Sequence, residues 1–196
     1  MGKILKGWAI GMVLVVAGCI TTGKPGEIRG TWLEPRLDEA SGLVVLPDTG
    51  VLVSHNDDTD SGLYLADAQG KSLGRLDLPS LKNRDWEDLA LIRREGGPPW
   101  VVIGEIGDNA GVHDEVFLHL VEVDQERKSH QWMGSFPVTY PDGPRDAESL
   151  AWDPVEEQIL ILSKRDQPAR LYSVDLPEDF SPSLGGASIM AELLGE

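Results

Sequence analysis

Apolar residues fall in short runs of three or four along this chain, each bounded by polar turn residues. Val51-Leu52-Val53, Trp100-Val101-Val102-Ile103 and Ile159-Leu160-Ile161-Leu162 are rich in β-branched side chains and too short for amphipathic helices. They predict strands. A second segment follows each run and ends on an aspartate: Leu63 to Asp67, Leu120 to Asp124, and Leu171 to Asp175. The aspartates mark turns, with Ala68-Gln69-Gly70 after the first. In the middle segment His119 alternates with Leu118 and Leu120, which predicts a surface position. A further segment closes each group, around Ser72 to Leu78, Gln131 to Val138 and Ala187 to Leu193. Apart from the last few residues, nothing after Gly30 sustains a helical period with caps.

Ahead of each group stands one pattern, Arg-x-x-Glu-x-x-(Gly/Ala)-(Leu/Trp). It reads Arg36 to Leu43, Arg84 to Leu91, and Arg145 to Trp152, with its glutamates at Glu39, Glu87 and Glu148. Three matches in register, each followed by strands in the same order, indicate an internal repeat. A β-sandwich also spaces strands at about 8 to 12 residues, but it does not repeat such a signature. Four strands per unit joined by short turns predict β-propeller blades. The expected fold is therefore all-β, with three four-stranded blades. A fourth block would fall where the sequence stops, and known propellers close with roughly 4 to 8 blades. The expected ring is incomplete, as a truncated product or fragment, or is completed by two copies pairing into six blades.

Composition changes the picture at the N-terminus. Lys3 and Lys6 precede an apolar run from Trp8 to Val16, followed by Val16-Ala17-Gly18-Cys19. This is the order of a secretory signal peptide, and the run is too short for the roughly 20 residues of a spanning helix. The tetrapeptide resembles the lipobox of bacterial lipoproteins, with Cys19, the only cysteine, as the lipidated residue. The resemblance implies residues 1–18 as signal peptide, 19–30 as lipidated cysteine and flexible tether, and 31–196 as the folded domain. It also implies residence in the bacterial cell envelope. Ile20, in place of the aspartate that retains lipoproteins at the inner membrane, implies the outer membrane facing the periplasm where one exists. A single acyl chain anchors marginally and two or more anchor stably, so the expected partner is a membrane.

The formal net charge is −16, and removing residues 1–18 takes away two bases and no acid. Such a surface repels nucleic acid and attracts cations. First strands line the channel of a propeller, so Glu39, Glu87 and Glu148 are expected near one axis, with Asp85, Asp88 and Asp146 beside them. Loops after the second strands add His55-Asn56-Asp57-Asp58, Gly104 to Asn109, and Lys164-Arg165-Asp166. Carboxylates and amide carbonyls without cysteine or paired histidine are hard ligands, which favours Ca²⁺. The candidate metal ligands are Asp57, Asp58, Asp60, Glu87, Asp88, Asp108, Asn109 and Glu148. Against this stands a structural reading in which Arg36, Arg84 and Arg145 form repeated ion pairs with the glutamates, Glu39 among them. Asn56-x-Asp58-x-Asp60 with Gly62 and Asp67 matches an EF-hand loop only in part, since Ser61 replaces the glycine at position six.

Asp85-Trp86-Glu87-Asp88, Gly104-Glu105-Ile106-Gly107-Asp108-Asn109, and Tyr140 to Glu148 resemble blocks of a family of uncharacterised bacterial exported propeller proteins. More distantly, the chain resembles calcium-containing six-bladed propellers: SdiA-regulated, strictosidine synthase-like and paraoxonase-like proteins. The likeness covers roughly residues 36 to 175. It implies a calcium-containing propeller fold and transfers no activity. Gly-x-Ser-x-Gly, P-loop, His-Glu-x-x-His and Cys-x-x-Cys motifs are missing from the sequence. The leading expectation is an envelope binding or scaffold module. The alternative is a calcium-dependent lactonase, esterase or phosphoesterase with His55 as general base, or a non-functional remnant.

Overall fold

A computed structural model describes residues 28, 30–93, 96–124, 129–177 and 187–195. Among them there is no helix, and thirteen strands form three separate sheets. Expectations for residues 1–27, including Cys19 and most of the tether, lie outside the described residues. No helix among the described residues is long and apolar enough to cross a membrane.

The first blade holds β1 (Ala40–Val45), β2 (Leu52–Asn56), β3 (Gly62–Ala66) and β4 (Ser72–Asp77), in that spatial order. The second runs β5 (Asp88–Ile92), β6 (Trp100–Glu105), β7 (Val116–Asp124) and β8 (Ser129–Thr139), also in order. The third contains β9 (Ala147–Asp153), β10 (Gln158–Ser163) and β11 (Leu171–Val174). The predicted closing strand around Ala187 to Leu193 is split between two blades. β12 (Ile189–Met190) adds to the second blade, parallel to β8, and β13 (Glu192–Gly195) closes the third against β11. Ala191, between them, is buried and donates its N–H to Thr139. This short stretch ties the two blades together.

Strand β5 lies between β1 and β9, so the first strands of the blades form the inside of an arc that does not close into a ring. Because blade 2 is covered on both faces, its strands are apolar in both registers. Leu89, Val101 and Ile103 face a core shared with Val44, Val53 and Leu63 of blade 1. Ala90, Val102 and Leu118 face another, shared with Leu150, Ile159, Ile161 and Tyr172 of blade 3. The same covering overturns the predicted surface position of His119, which is buried in β7 between Ser135 Oγ (2.6 Å) and Glu105 Oε2 (3.2 Å). Alternation signals exposure only where one face of a sheet meets water.

Gly42 forms a bulge in β1 with φ of 45°, and a Cβ there would fall 2.7 Å from His55 Nε2 and 2.8 Å from the backbone nitrogen of Leu89. Only glycine permits that approach of β1 to β5. Trp86 fills the junction between blades 1 and 2. It is fully buried, edge-on to His55 at 5.8 Å, with its Nε1–H directed at Glu105 Oε2 (3.3 Å). Trp86→Ala is expected to destabilise the protein by about 3–5 kcal/mol, read as a lower denaturant midpoint.

Candidate functional site

In an extended chain, residues two apart share a face. Asp85 and Glu87 therefore enter β5 side by side, as Asp146 and Glu148 enter β9. Blade 1 carries Leu37 at the equivalent place, and Asp57, following β2, supplies a carboxylate instead. The result is two adjoining trios that share Glu87: Asp57, Asp85 and Glu87, and Glu87, Asp146 and Glu148. Within each trio one oxygen from every residue lies within 4.8 Å of the others. Ligands on opposite sides of a calcium ion are separated by about twice the 2.3–2.6 Å Ca–O distance, so the spacing fits a single ion.

The trios differ in charge balance. Asp146 accepts from Arg165 Nε at 2.6 Å and from the Asp108 N–H at 3.0 Å, and Glu148 pairs with Lys164. Among the described residues no lysine or arginine pairs with Asp57, Asp85 or Glu87. Glu87 is only 6% exposed, and its carboxylate has no hydrogen-bond donor among the described residues. Gly107 makes room for it: a Cβ there would fall 2.5 Å from Glu87 Oε1 and closer still to the Asp85 carboxylate.

Crowding shows in the proton affinities. Burial first, then the charges of Glu148, Asp57 and Asp85, push Glu87 up to about 8. Burial and the neighbouring Asp57 push Asp85 up to about 6. Glu105 solves the same problem differently. It is equally buried, yet meets Trp86 Nε1 and His119 Nε2 through one oxygen and Arg84 Nε at 3.3 Å through the other. Its partners come from the protein, whereas Glu87 has no hydrogen-bond donor among the described residues.

The other candidates are dispersed. Glu39 lies beside Asp58, which raises its proton affinity, and belongs to neither trio. Asp60 accepts from the Tyr64 hydroxyl at 2.5 Å and lies 3.2 Å from Arg75. Asp88 accepts from the backbone of Leu89 and Leu150, both at 2.8 Å. Asp108 accepts from the N–H groups of Val112 and His113, and Asn109 from Arg165. The partial EF-hand run is pulled apart, since Asn56 holds the backbone of Arg36 and Glu39 while Asp67 forms a turn with Gln69 and Lys71. The repeat arginines pair elsewhere than with the glutamate three residues on: Arg36 with Glu34, Arg84 with Glu105, Arg145 with Asp142 and Asp166. In extended backbone such residues are about 10 Å apart on opposite faces.

His55 is fully buried. Its Nδ1–H donates to the Asn56 carbonyl at 2.8 Å, and burial lowers its proton affinity. The ring sits inside the blade 1–blade 2 junction as a neutral imidazole.

The raised value of Glu87 has a definite sign. The folded protein keeps a proton that the unfolded chain releases near its ordinary value of 4.5, so without a cation stability falls as pH rises toward about 8. His55 works oppositely, but only below its ordinary value of 6.5. In chelator, the melting temperature is therefore expected to fall between about pH 6.5 and 8, and Glu87→Gln to flatten the curve. A native profile that rises over this window contradicts the assignment.

No protein-family model matches the chain, and no curated protein matches it significantly.

Proposed function

We propose that the protein is a lipid-anchored envelope lipoprotein whose propeller blades hold calcium through Asp57, Asp85 and Glu87, and that it serves as a binding or scaffold module. The observation that carries the cation reading is Glu87: a buried carboxylate set among four others, with no donor and no base of its own. Burying such a charge is costly unless it is paired. A divalent cation supplies that pairing. The donors are all carboxylate oxygens, without sulfur or imidazole, and calcium accepts irregular oxygen geometry more readily than magnesium. Asp146 and Glu148, already matched to Arg165 and Lys164, adjoin the site through Glu87.

The likeness of residues 36 to 175 to calcium-containing six-bladed propellers supports the same reading. The lipobox-like Val16 to Cys19 supports the anchor. A binding role is favoured over hydrolysis because His55, the candidate general base, lies within the core.

Calcium at 1 mM, compared with chelator, is expected to stabilise the protein by about 0.4–1.4 kcal/mol for a dissociation constant between 1 and 0.1 mM. Calorimetric titration and melting curves measure this, and Glu87→Gln should abolish both signals. An unchanged native melting temperature together with no heat of binding refutes the cation. For the anchor, Cys19→Ser should remove palmitate labelling and move the protein from the membrane fraction to the soluble one. Retention in membranes without label would refute lipidation at Cys19.

A further inference from the structure

Each junction between blades joins two unlike faces. Blade 1 offers Gly42, Val44 and Val53 to Leu89, Val101 and Ile103 of blade 2. Blade 2 offers Ala90, Ile92 and Val102 to Leu150, Ile159 and Ile161 of blade 3. Counted from the repeat glutamate, Gly42, Ala90 and Ala151 occupy one place, and a small residue there lets the next inner strand come close. A backbone hydrogen bond marks both junctions. Trp86 N–H donates to the Asp57 carbonyl at 2.9 Å, and Ala147 N–H to that of Ile106 at 3.3 Å. Each donor directly precedes the glutamate, and each acceptor directly follows the second strand.

Among the described residues, the ends of the arc leave one face of each kind open. On blade 3 the accepting face carries Ala151 opposite Leu160, and Ser149 opposite Leu162, which is 40% exposed. The charges on this face stand at its rim: Asp153 lies opposite Gln158, in the place of Ile92 of blade 2, and Glu192 lies opposite Ser173. On blade 1 the opposite kind of face carries Leu43 and Val45, 59% and 50% exposed, with Leu52 paired to Val45. The segment before β1 lies over the outer strands of this flank and meets β2 only at its last residue, Asn56. Arg36 lies over the Tyr64 ring of β3, and Glu34 accepts from Ser72 of β4. Among the described residues, Leu43 and Val45 of β1 stay uncovered.

We propose that these two faces fit each other, and that two copies of the chain close into a six-bladed ring with blade 3 of each against blade 1 of the other. The chain itself carries both halves of the missing junction, so a twofold pairing satisfies both at once. Lys164, directly after β10, stands where Asp57 and Ile106 stand. Its carbonyl would accept the N–H of Asp38 from the second copy, the residue in the place of Trp86 and Ala147. Six blades fall within the roughly 4 to 8 that close a propeller. The pairing does not rest on the cation and stands if calcium does not bind.

The test uses full-length protein carrying Cys19→Ser, which removes the only native thiol, with either Leu43→Cys or Ala151→Cys. Both sites are exposed, and unchanged melting curves verify folding. With a short bismaleimide, an equal mixture of the two variants is expected to give a covalent dimer, and neither variant alone to give one above background. Sedimentation equilibrium of the Cys19→Ser protein should return twice the chain mass. A dimer from Ala151→Cys alone would mean that blade 3 pairs with blade 3, and overturns the proposal. So does a monomer that cross-links in no combination, which would leave the open faces to another chain.

Discussion

Everything in this molecule depends on how closely the first strands of neighbouring blades approach. Gly42 gives up its side chain so that β1 can reach β5, and Ala90 keeps the next junction narrow. That approach joins the blades through backbone hydrogen bonds at Trp86 and Ala147. It also forces carboxylates from three blades into one small volume, because the residues that enter the inner strands are acidic. Packing and electrostatics pull in opposite directions here. The apolar junctions hold together what the charges would separate.

Two buried glutamates show how the conflict is resolved. Glu105 is met by Trp86, His119 and Arg84, so its charge is absorbed into the junction between strands. Glu87 is about as buried but has no hydrogen-bond donor among the described residues, and burial and the charges of Glu148, Asp57 and Asp85 outweigh that of Lys164 and push it up to about 8. A buried acid with protein partners is a structural element. One without them gains most from a cation, which is why the cation site we propose is centred on Glu87 and not on the more conspicuous aspartate-rich loop near Asp58 and Asp60. In that loop Asp60 is already engaged by Tyr64 and Arg75.

The blade architecture was legible because it is written in local terms. Short β-branched runs, turn aspartates and a repeated Arg-x-x-Glu block each report on a few adjacent residues. The site was legible in part. Glu87 and Glu148 stand out from the repeat, and Asp57 from its acidic loop. The pairing of Asp85 with Glu87, and of Asp146 with Glu148, could have been drawn more firmly from their spacing of two in an extended chain. The departure of Glu39 carries a signal too, since Leu37 replaces the aspartate of the other repeats. His119 and the split of β12 from β13 carried no such signal. Burial of His119 follows from a second sheet lying across β7, and β12 is held by β8, some fifty residues earlier in the chain.

By itself, then, the sequence determined the first three strands of each blade, the blade repeat, the acidic character and the chemistry of the candidate ligands, because these depend on residue type and near-neighbour spacing. Tertiary structure alone decided which carboxylates meet and which are neutralised by Arg165 and Lys164. It also decided which face of each blade is covered. Those outcomes are set by distances between residues far apart in the chain, and a carboxylate has no partner until the fold supplies or withholds one.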